Sequence, residues 1–578
     1  MKPHHAKYIL ENMGQKSIEI IAKDLGIKER KIKRFLESQQ KDEKQRTPAG
    51  SGVGQSGSVQ ISCKKRNIIL SAILIAALGF FTYANSISGQ FLWDDNLLVK
   101  DNLYIRDWTH LPQIFTQSIG AGSGIKYYFY RPVQMLTYMM DYSLWKLDAR
   151  GYHLTGILLH IFAALSVYFL SNTIFNDNLL SLFAAAFFVV HPVHTEAVAY
   201  IAGRADSLAL LFMMLCFSFY FKRLSSGRSG PYVLMLVSYA LALLSKANSL
   251  ILPGLVLLYH HSYKVRMRGK DFFSLVGLSL VYLFLRTTVL KESAPLDSYP
   301  TALWERIPGV FAALTNYIRL IFFPFDLHMG YGSPLFRWSD PKVISGMGIV
   351  SLFLFFLIKA RNKSTPVFFS LSWFLAALLP VSNLYPINAY MAEHWLYLPS
   401  VGMFFLWGYG IIKLRQIKAA RMPTVFLAIG LLVFYSWLTV KNNAYWRTPL
   451  VFFERLVKYA PNSARAHVEL GLIYNSMGKE NETEAMLKKA IALKPDYAEA
   501  YNSLGAAYDQ MGRTAEALAM FEKAVHIDPD YPRAYNNLAI FHYYHQNYKL
   551  AIEYSDQAKR RGFVNPLIEG LLEPYREK

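Results

Sequence analysis

The chain has 578 residues, of which 53% are hydrophobic and only 17% are charged, and its formal net charge is +21. A soluble protein carries roughly 25% charged residues, so this composition excludes an ordinary soluble protein, and the length excludes one compact domain. The charge is +8 in residues 1–66, zero in residues 446–578 and +13 between them. Nucleic acid is not expected as a partner, because cations on one side of a membrane explain the excess.

Residues 1–46 are predicted to form a small cytoplasmic helical module, and residues 47–66 a flexible linker. A helix over Ser17–Ile27 meets a glycine, and Lys28 to Glu37 begins a second helix, so that the pair resembles a helix-turn-helix. The basic second helix is open to two interpretations, a nucleic-acid reader or a docking module near anionic lipid. The second is favoured because the rest of the chain is membrane-bound.

Apolar runs of about membrane-spanning length recur between residues 67 and 445. They predict eleven spans, near residues 68–88, 152–171, 178–193, 205–221, 231–246, 248–262, 271–288, 343–360, 366–381, 395–412 and 423–441. The run Phe311–Phe325 contains Arg319 and Pro324 and is predicted not to cross. Lys64-Lys65-Arg66 place the N-terminus in the cytoplasm, and four later basic loops then face the same side.

The C-terminal residues 446–578 repeat with a period of 34. Three copies, at about 464–497, 498–531 and 532–565, carry the tetratricopeptide pattern, in which small residues occupy the crossings of paired helices. Such an α-solenoid binds a peptide or protein in its concave face, here through Asn502 and Asn536. A purely structural cap is the alternative. Eleven spans place this domain outside the cytoplasm.

Two adjacent carboxylates, Asp94 and Asp95, directly follow the first span, at the start of a predicted outer loop over residues 89–150. A carboxylate beside a bilayer costs free energy unless it has water, a cation or a function. The pair is therefore interpreted as the centre of an active site, with a solvated acidic loop as the alternative. Other predicted outer positions add acids, bases and aromatics: Arg131, His194, Glu196, Arg204, Lys246, Glu393, His394 and Tyr397.

Several motifs in this order resemble one family of membrane enzymes. They are Trp93-Asp94-Asp95, Tyr130-Arg131-Pro132, Gly151-Tyr152-His153-Leu154, His191-Pro192-Val193-His194-Thr195-Glu196, Gly203-Arg204 and Glu393-His394-Trp395-Leu396-Tyr397-Leu398-Pro399. With the repeats, over about residues 67–560, the set is similar to the transmembrane and tetratricopeptide repeat-containing O-mannosyltransferases and their bacterial relatives. His394 stands where that family more often has arginine.

The resemblance implies an all-α GT-C glycosyltransferase fold over residues 67–445. It also implies a polyprenyl-phosphate-linked sugar, mannose above all, as donor and a protein Ser/Thr hydroxyl as acceptor. The residue types fit this chemistry, since the attacking hydroxyl needs one carboxylate base, Asp94 or Asp95, and cations stabilise the departing phosphate. A divalent ion, Mg²⁺ or Mn²⁺, held by Asp94 or Asp95 stays open, as does a metal at His191-x-x-His194-x-Glu196.

Two other functions stay open. A non-catalytic membrane scaffold would use the repeats but not the paired aspartates, and a GT-C enzyme could act on a glycan or lipid acceptor. A bacterial inner membrane is favoured as the location, with the endoplasmic reticulum expected if the source is eukaryotic. The two cysteines, Cys63 and Cys216, have no evident pairing, so neither a disulfide nor a thiolate metal site is expected.

Overall fold

The computed structural model describes residues 18–27, 53–124, 129–290, 302–387 and 389–576, together with positions 9, 29, 31, 32 and 35. The chain divides into two compact units, residues 1–70 and 71–578. In the first unit, the helix Ile18–Leu25 buries Ile21 in a cluster with Ile9 and Ile32. The first helix of the predicted helix-turn-helix is therefore present, whereas most of the second lies outside the described residues.

The described secondary structure is entirely helical, which confirms the all-α class. The helix of the first predicted span is Val53–Tyr83, so that residues 53–65 of the predicted linker are helical. Extending a formed helix costs less free energy than nucleating a new one. The remaining α-helices are Leu111–Thr116, Pro132–Trp145, Ala149–Phe175, Asn178–Val190, Thr195–Ala199, Arg204–Ser226, Ser229–Ser245, Leu252–Tyr263, Gly269–Val289, Leu303–Phe322, Pro341–Arg361, Thr365–Leu378, Pro399–Gln416, Arg421–Asn443, Pro449–Tyr459, Ala464–Ser476, Glu480–Leu493, Ala498–Gln510, Thr514–Ile527, Pro532–Tyr544, Tyr548–Arg560 and Pro566–Arg576.

Six helices in the described residues are long and apolar enough to cross a membrane, and a pair bent by 53° makes up to seven. The six are Arg66–Ser88, Ala149–Phe175, Ile201–Ser226, Gly269–Val289, Pro341–Arg361 and Lys418–Trp446, and the bent pair is Asn178–Val190 with Pro192–Ala199. Two further predicted spans coincide with shorter apolar helices, Ser229–Ser245 and Thr365–Val381. Eleven crossings therefore stay a prediction, since a helix such as Leu252–Tyr263, with 12 residues, falls short of the roughly 20 that a bilayer requires.

The helix Arg204–Ser226 carries a residue near the predicted site at one end and a residue of a predicted cytoplasmic basic loop at the other. Asp206 is in its first turn and Arg223 in its last, which separates them by about 25 Å at 1.5 Å per residue. Arg223 Nε lies 3.5 Å from Asp271 Oδ2, so two of the loops predicted to be cytoplasmic share one end. Asp206 belongs to the other end, where the predicted site residues gather.

Gly402 marks a close contact between the helices Pro399–Gln416 and Thr365–Leu378. A Cβ atom at this position would lie 2.5 Å from the carbonyl oxygen of Ser370 and 2.9 Å from the amide nitrogen of Phe374. We expect Gly402→Ala to destabilise the fold by about 1–3 kcal/mol through overpacking, measured as a lower unfolding temperature in detergent. Gly410→Ala, in the same helix but with no atom within 4 Å of the added methyl group, should leave that temperature unchanged or slightly higher; equal losses would contradict this packing.

The C-terminal residues form three successive helix pairs, beginning at Ala464, Ala498 and Pro532. Their core contains Leu504, Tyr508, Ala517 and Phe521 of the tetratricopeptide pattern. The preceding helix Pro449–Tyr459 packs on the first pair. This helix also shares an apolar cluster with the loop over residues 89–150, which carries the paired aspartates. The cluster therefore joins the repeats to that loop. Its members include Leu92, Val99, Ile105, Met139, Trp446, Phe453 and Leu470.

Candidate active site at the outer loop

Asp95 holds the Trp93–Asp95 loop in place. Its side chain is only 1% exposed, and its two carboxylate oxygens accept hydrogen bonds from the backbone N–H of Leu92 at 3.0 Å and of Ala202 at 2.8 Å. Trp93 adopts the left-handed conformation, with φ 46°, which is uncommon for a residue with a side chain. The bond to Ala202 ties this strained turn to the chain that enters the helix Arg204–Ser226.

Burial raises the pKa of Asp95 from 3.8 to about 8, although both backbone hydrogen bonds lower it. A carboxyl group whose pKa rises on folding favours the folded state at low pH, and this contribution is lost as pH rises from its unfolded pKa through its folded pKa. We therefore expect Asp95→Asn to flatten a decline in unfolding temperature between about pH 5 and pH 8. Asp148→Asn is the control, since the pKa of Asp148 is lowered by Arg150 and this carboxylate stays ionised across that range; an unchanged slope in Asp95→Asn would contradict the assignment.

Asp94 is held through its backbone. Its N–H donates to the hydroxyl oxygen of Tyr200 at 3.0 Å, and the ring of Tyr200 stacks on Trp446 with centroids 5.3 Å apart. The side chain of Asp94 is half-buried. The two adjacent aspartates therefore have different environments, because Asp95 is buried and accepts backbone hydrogen bonds with both carboxylate oxygens, whereas Asp94 is half-buried.

Among the predicted phosphate-binding cations, Arg131 is the one whose charge is least neutralised by neighbouring carboxylates of the described residues. Its guanidinium packs over Phe129, 4.5 Å from the ring centroid, and lies 3.5 Å from Gln134 Oε1. Burial lowers its pKa, whereas the carboxylates of Asp206 and Asp94 raise it. No carboxylate of the described residues lies within 4.0 Å of Arg131, so its charge is available to an anion.

Lys246 and Asp206 form a buried ion pair, in which the Lys246 ammonium is 2.7 Å from both carboxylate oxygens. The carboxylates of Asp206 and Asp94 both raise the pKa of Arg131, so Asp94, Arg131 and the ion pair share one electrostatic neighbourhood. The fold thus brings together the residues that the sequence distributes over more than 150 positions.

The guanidinium of Arg204 is held by other groups of the protein. Its guanidinium is 2.5 Å from Asp141 Oδ2, donates to the carbonyl oxygen of Tyr152 at 2.9 Å and packs over Tyr138, 4.6 Å from the ring centroid. The side chain is 1% exposed. A buried arginine with a bound carboxylate is poorly available to a second anion, so the structure favours Arg131 over Arg204 for phosphate.

Glu196 and His394 are 198 positions apart in the sequence and lie next to each other in the fold. His394 Nδ1 is 2.7 Å from Glu196 Oε1, and the backbone N–H of His394 donates to Oε2 at 3.0 Å. Glu393 points elsewhere and accepts from the Tyr331 hydroxyl at 2.6 Å and the His328 N–H at 2.5 Å. Burial and the neighbouring Glu196 raise the pKa of Glu393 to about 8.

His194 and Tyr397 belong to a packed aromatic group. The two ring nitrogens of His194 lie 2.8 Å from the Phe188 carbonyl oxygen and 3.0 Å from Ser400 Oγ. The Tyr397 hydroxyl is 2.6 Å from His160 Nδ1. Because these polar atoms already have partners inside the protein, this arrangement supports a positioning role more than contact with phosphate.

The two asparagines predicted to bind peptide are each 7% exposed. Asn502 Oδ1 accepts from Asn537 Nδ2 at 3.0 Å, and Asn536 Oδ1 accepts from Asn565 Nδ2 at 3.0 Å. Asn502 therefore links the second repeat to the third, and Asn536 links the third repeat to the segment that leads into the final helix, Pro566–Arg576. Their predicted contact with a ligand would require these bonds to be exchanged.

A divalent ion at Asp94 or Asp95, or at His191-x-x-His194-x-Glu196, would need several donor atoms that are free to bind it. The described residues contain no group of three or more His, Cys, Asp or Glu side chains that could hold a metal. His191 Nε2 is 2.9 Å from the Ile321 carbonyl oxygen, and Asp95 already accepts two hydrogen bonds. The arrangement does not fit a protein-held metal at either predicted position.

Neither Asp141, which belongs to the motifs of the family resemblance, nor Tyr200 was predicted as a site residue from the sequence. Asp141 neutralises Arg204 at 2.5 Å, and Tyr200 orients Asp94 at 3.0 Å. A buried arginine requires a carboxylate partner, which could have pointed to Asp141, in the next helix after Arg131. No comparable signal marks Tyr200.

The fold and the site together define a polytopic helical membrane protein with a C-terminal tetratricopeptide domain. Two family models described as "Tetratricopeptide repeat" match residues 462–530 and 504–562, which confirms the predicted repeats.

Similar proteins bear out the resemblance stated from the motifs. The chain is 27% identical over 451 residues to a protein O-mannosyl-transferase of Caenorhabditis elegans, covering 74% of this chain and 63% of that protein. It is 26% identical to the protein O-mannosyl-transferase TMTC1 of Homo sapiens, covering 73% and 55%. The chain thus spans about half to two thirds of the length of these curated relatives.

Two solved membrane proteins are also similar. The archaeal oligosaccharyltransferase AglB from Archaeoglobus fulgidus, in complex with an inhibitory peptide and a dolichol-phosphate, has a TM-score of 0.40 at 13% identity, covering 67% of this chain and 56% of that chain. ArnT from Cupriavidus metallidurans, bound to undecaprenyl phosphate, has a TM-score of 0.33 at 14% identity, covering 81% and 80%.

Proposed function

We propose that the protein is a GT-C-type membrane glycosyltransferase that moves a sugar, mannose in the first instance, from a polyprenyl phosphate to a Ser/Thr hydroxyl of a protein. The names of its curated relatives supply the reaction class, and the tetratricopeptide repeats suit a polypeptide acceptor. The reaction takes place on the extracytoplasmic face, toward which the basic-loop pattern directs Asp94.

In the proposed reaction, Asp94 takes the proton of the acceptor hydroxyl as its oxygen bonds to the anomeric carbon of the sugar. The bond from that carbon to the phosphate oxygen breaks, and the polyprenyl phosphate leaves with the electron pair. One displacement at this carbon inverts its configuration. A phosphate leaves without an acid, unlike the leaving group of a glycosidase, so one carboxylate and a phosphate-binding cation suffice.

The observation that carries the proposal is the half-buried Arg131 in the electrostatic neighbourhood of Asp94. The carboxylates of Asp206 and, to a lesser extent, Asp94 raise the pKa of Arg131. Arg131 has no carboxylate within 4.0 Å among the described residues, and a half-buried cation without a carboxylate partner is costly. A phosphate bound at Arg131 would remove that cost and bring the anomeric carbon close to Asp94.

Mass spectrometry of exported proteins from cells with and without the gene tests the proposal. We expect a hexose on Ser/Thr that disappears with the gene and returns with the wild-type chain but not with Asp94→Asn. Restoration by Asp94→Asn would instead support the scaffold function, and an unchanged hexose pattern would reject protein glycosylation. A bacterial source would place the enzyme in the inner membrane, and a eukaryotic one in the endoplasmic reticulum.

A further inference from the structure

A cleft of about 570 Å³ lies between the outer loop and the first tetratricopeptide helix, within the unit formed by residues 71–578. Its volume is in the range of roughly 300–1,000 Å³ that is typical of ligand pockets. The loop side includes Phe91, Leu92, Trp93 and Asn96, and the repeat side includes Glu469, Leu472, Ile473 and Ser476.

The cleft borders the proposed catalytic loop. Leu92, Trp93 and Asn96 flank Asp94 in sequence, and Trp93 stacks on Phe453, which also lines the cleft, with ring centroids 5.3 Å apart. Glu469 lines the same cleft from the repeat side. Burial is the main cause that raises the pKa of Glu469, and the carboxylate of Asp94 contributes to the rise.

The charged side chains that line the cleft differ in how free they are to bind a ligand. Arg150 and Asp148 pair with each other at 2.7 Å. Lys100 is exposed, so solvent screens its charge.

Glu469 is half-buried. Arg465 and Arg533 lower its pKa, but neither lies within 4.0 Å of its carboxylate, and the Arg465 guanidinium packs over the Trp93 ring, 4.1 Å from its centroid. A half-buried carboxylate without a salt-bridge partner can bind a cationic ligand group, because an opposite charge nearby favours its ionised form.

We propose that this cleft receives the acceptor polypeptide and that Glu469 selects a Lys or Arg side chain near the glycosylated Ser/Thr. The inference rests on the proposed transferase function. The apolar side chains of Phe91, Leu472 and Ile473 line the cleft and would contact the stem of that basic side chain, as long cationic side chains pack along apolar surface.

The test uses the full-length protein in lipid nanodiscs, with a polyprenyl-phosphate mannose donor and three Ser/Thr peptides that differ only in one neighbouring residue, Lys, Ala or Glu. We expect the wild type to show a KM about tenfold lower for the Lys peptide than for the Ala peptide. Glu469→Gln should abolish this preference by raising the KM for the Lys peptide to that for the Ala peptide, and Glu469→Lys should prefer the Glu peptide.

Glu480→Gln is the matched control, because Glu480 lies in the same repeat, is exposed and does not line the cleft. It should keep the wild-type preference. Transfer to all three peptides with equal KM, or a preference that survives Glu469→Gln, would overturn the role of Glu469 while leaving the transferase function in place. Absence of transfer to every peptide by the wild type would count against both.

Discussion

Asp94→Asn is expected to lower kcat for sugar transfer by about 10²–10⁴-fold, the range typical for loss of a general base. An amide cannot accept the proton of the acceptor hydroxyl, but it preserves the shape of the side chain. KM for the donor should change little, because the variant retains Arg131. Initial rates of mannose transfer at saturating donor and peptide measure this effect.

Asp95→Asn is the matched comparison for this experiment. The amide oxygen can still accept a backbone hydrogen bond from Leu92 or Ala202, and burial already raises the pKa of Asp95 to about 8. Its kcat should therefore fall much less than that of Asp94→Asn. Equal losses in the two variants would show that the pair acts as a unit, and a larger loss in Asp95→Asn would transfer the role of base to Asp95.

Arg131→Gln is expected to reduce transfer by about 10²–10³-fold, the range observed when one stabilising donor is removed from a developing negative charge. The effect should appear in kcat as well as in donor KM, because the phosphate gains charge as it leaves. Arg131→Lys should recover part of the rate, since a lysine supplies charge without the planar guanidinium.

Lys488→Gln is the control for Arg131, because it removes one positive charge from an exposed side chain that pairs with Glu484 outside the cleft. Surface pairs of this kind contribute only about 0–1 kcal/mol, so transfer to the Ala peptide should remain near the wild-type rate. Equal activity of Arg131→Gln and the wild type would remove Arg131 from the phosphate site and direct attention to Lys246.

The helical class, the repeats and the spans with long apolar runs could be predicted from the sequence, because each depends on a local period. The difference between Asp94 and Asp95 could not be predicted. It depends on the N–H of Ala202, 107 residues later in the chain, reaching the Asp95 carboxylate. Two adjacent identical residues carry no local signal of which one will be buried.

The same limit applies to the predicted phosphate-binding residues. Arg131 and Arg204 look alike in sequence, but Asp141 lies 2.5 Å from Arg204, while Arg131 has no carboxylate within 4.0 Å in the described ranges. His194 lies in a run that also permits metal binding, yet its two nitrogens are paired with Phe188 and Ser400. Tertiary contacts of this kind decide which polar residue remains available for chemistry.

The most direct measurement of the central claim is transfer of radiolabelled mannose by the purified protein. Wild-type protein and Asp94→Asn, matched for amount and unfolding temperature, are incubated with polyprenyl-phosphate mannose and a Ser/Thr peptide. The proposed mechanism predicts label on the peptide hydroxyl, with inverted anomeric configuration, for the wild type and a loss of at least about 10²-fold for Asp94→Asn. Equal labelling by both proteins, or retained configuration in the product, would contradict it.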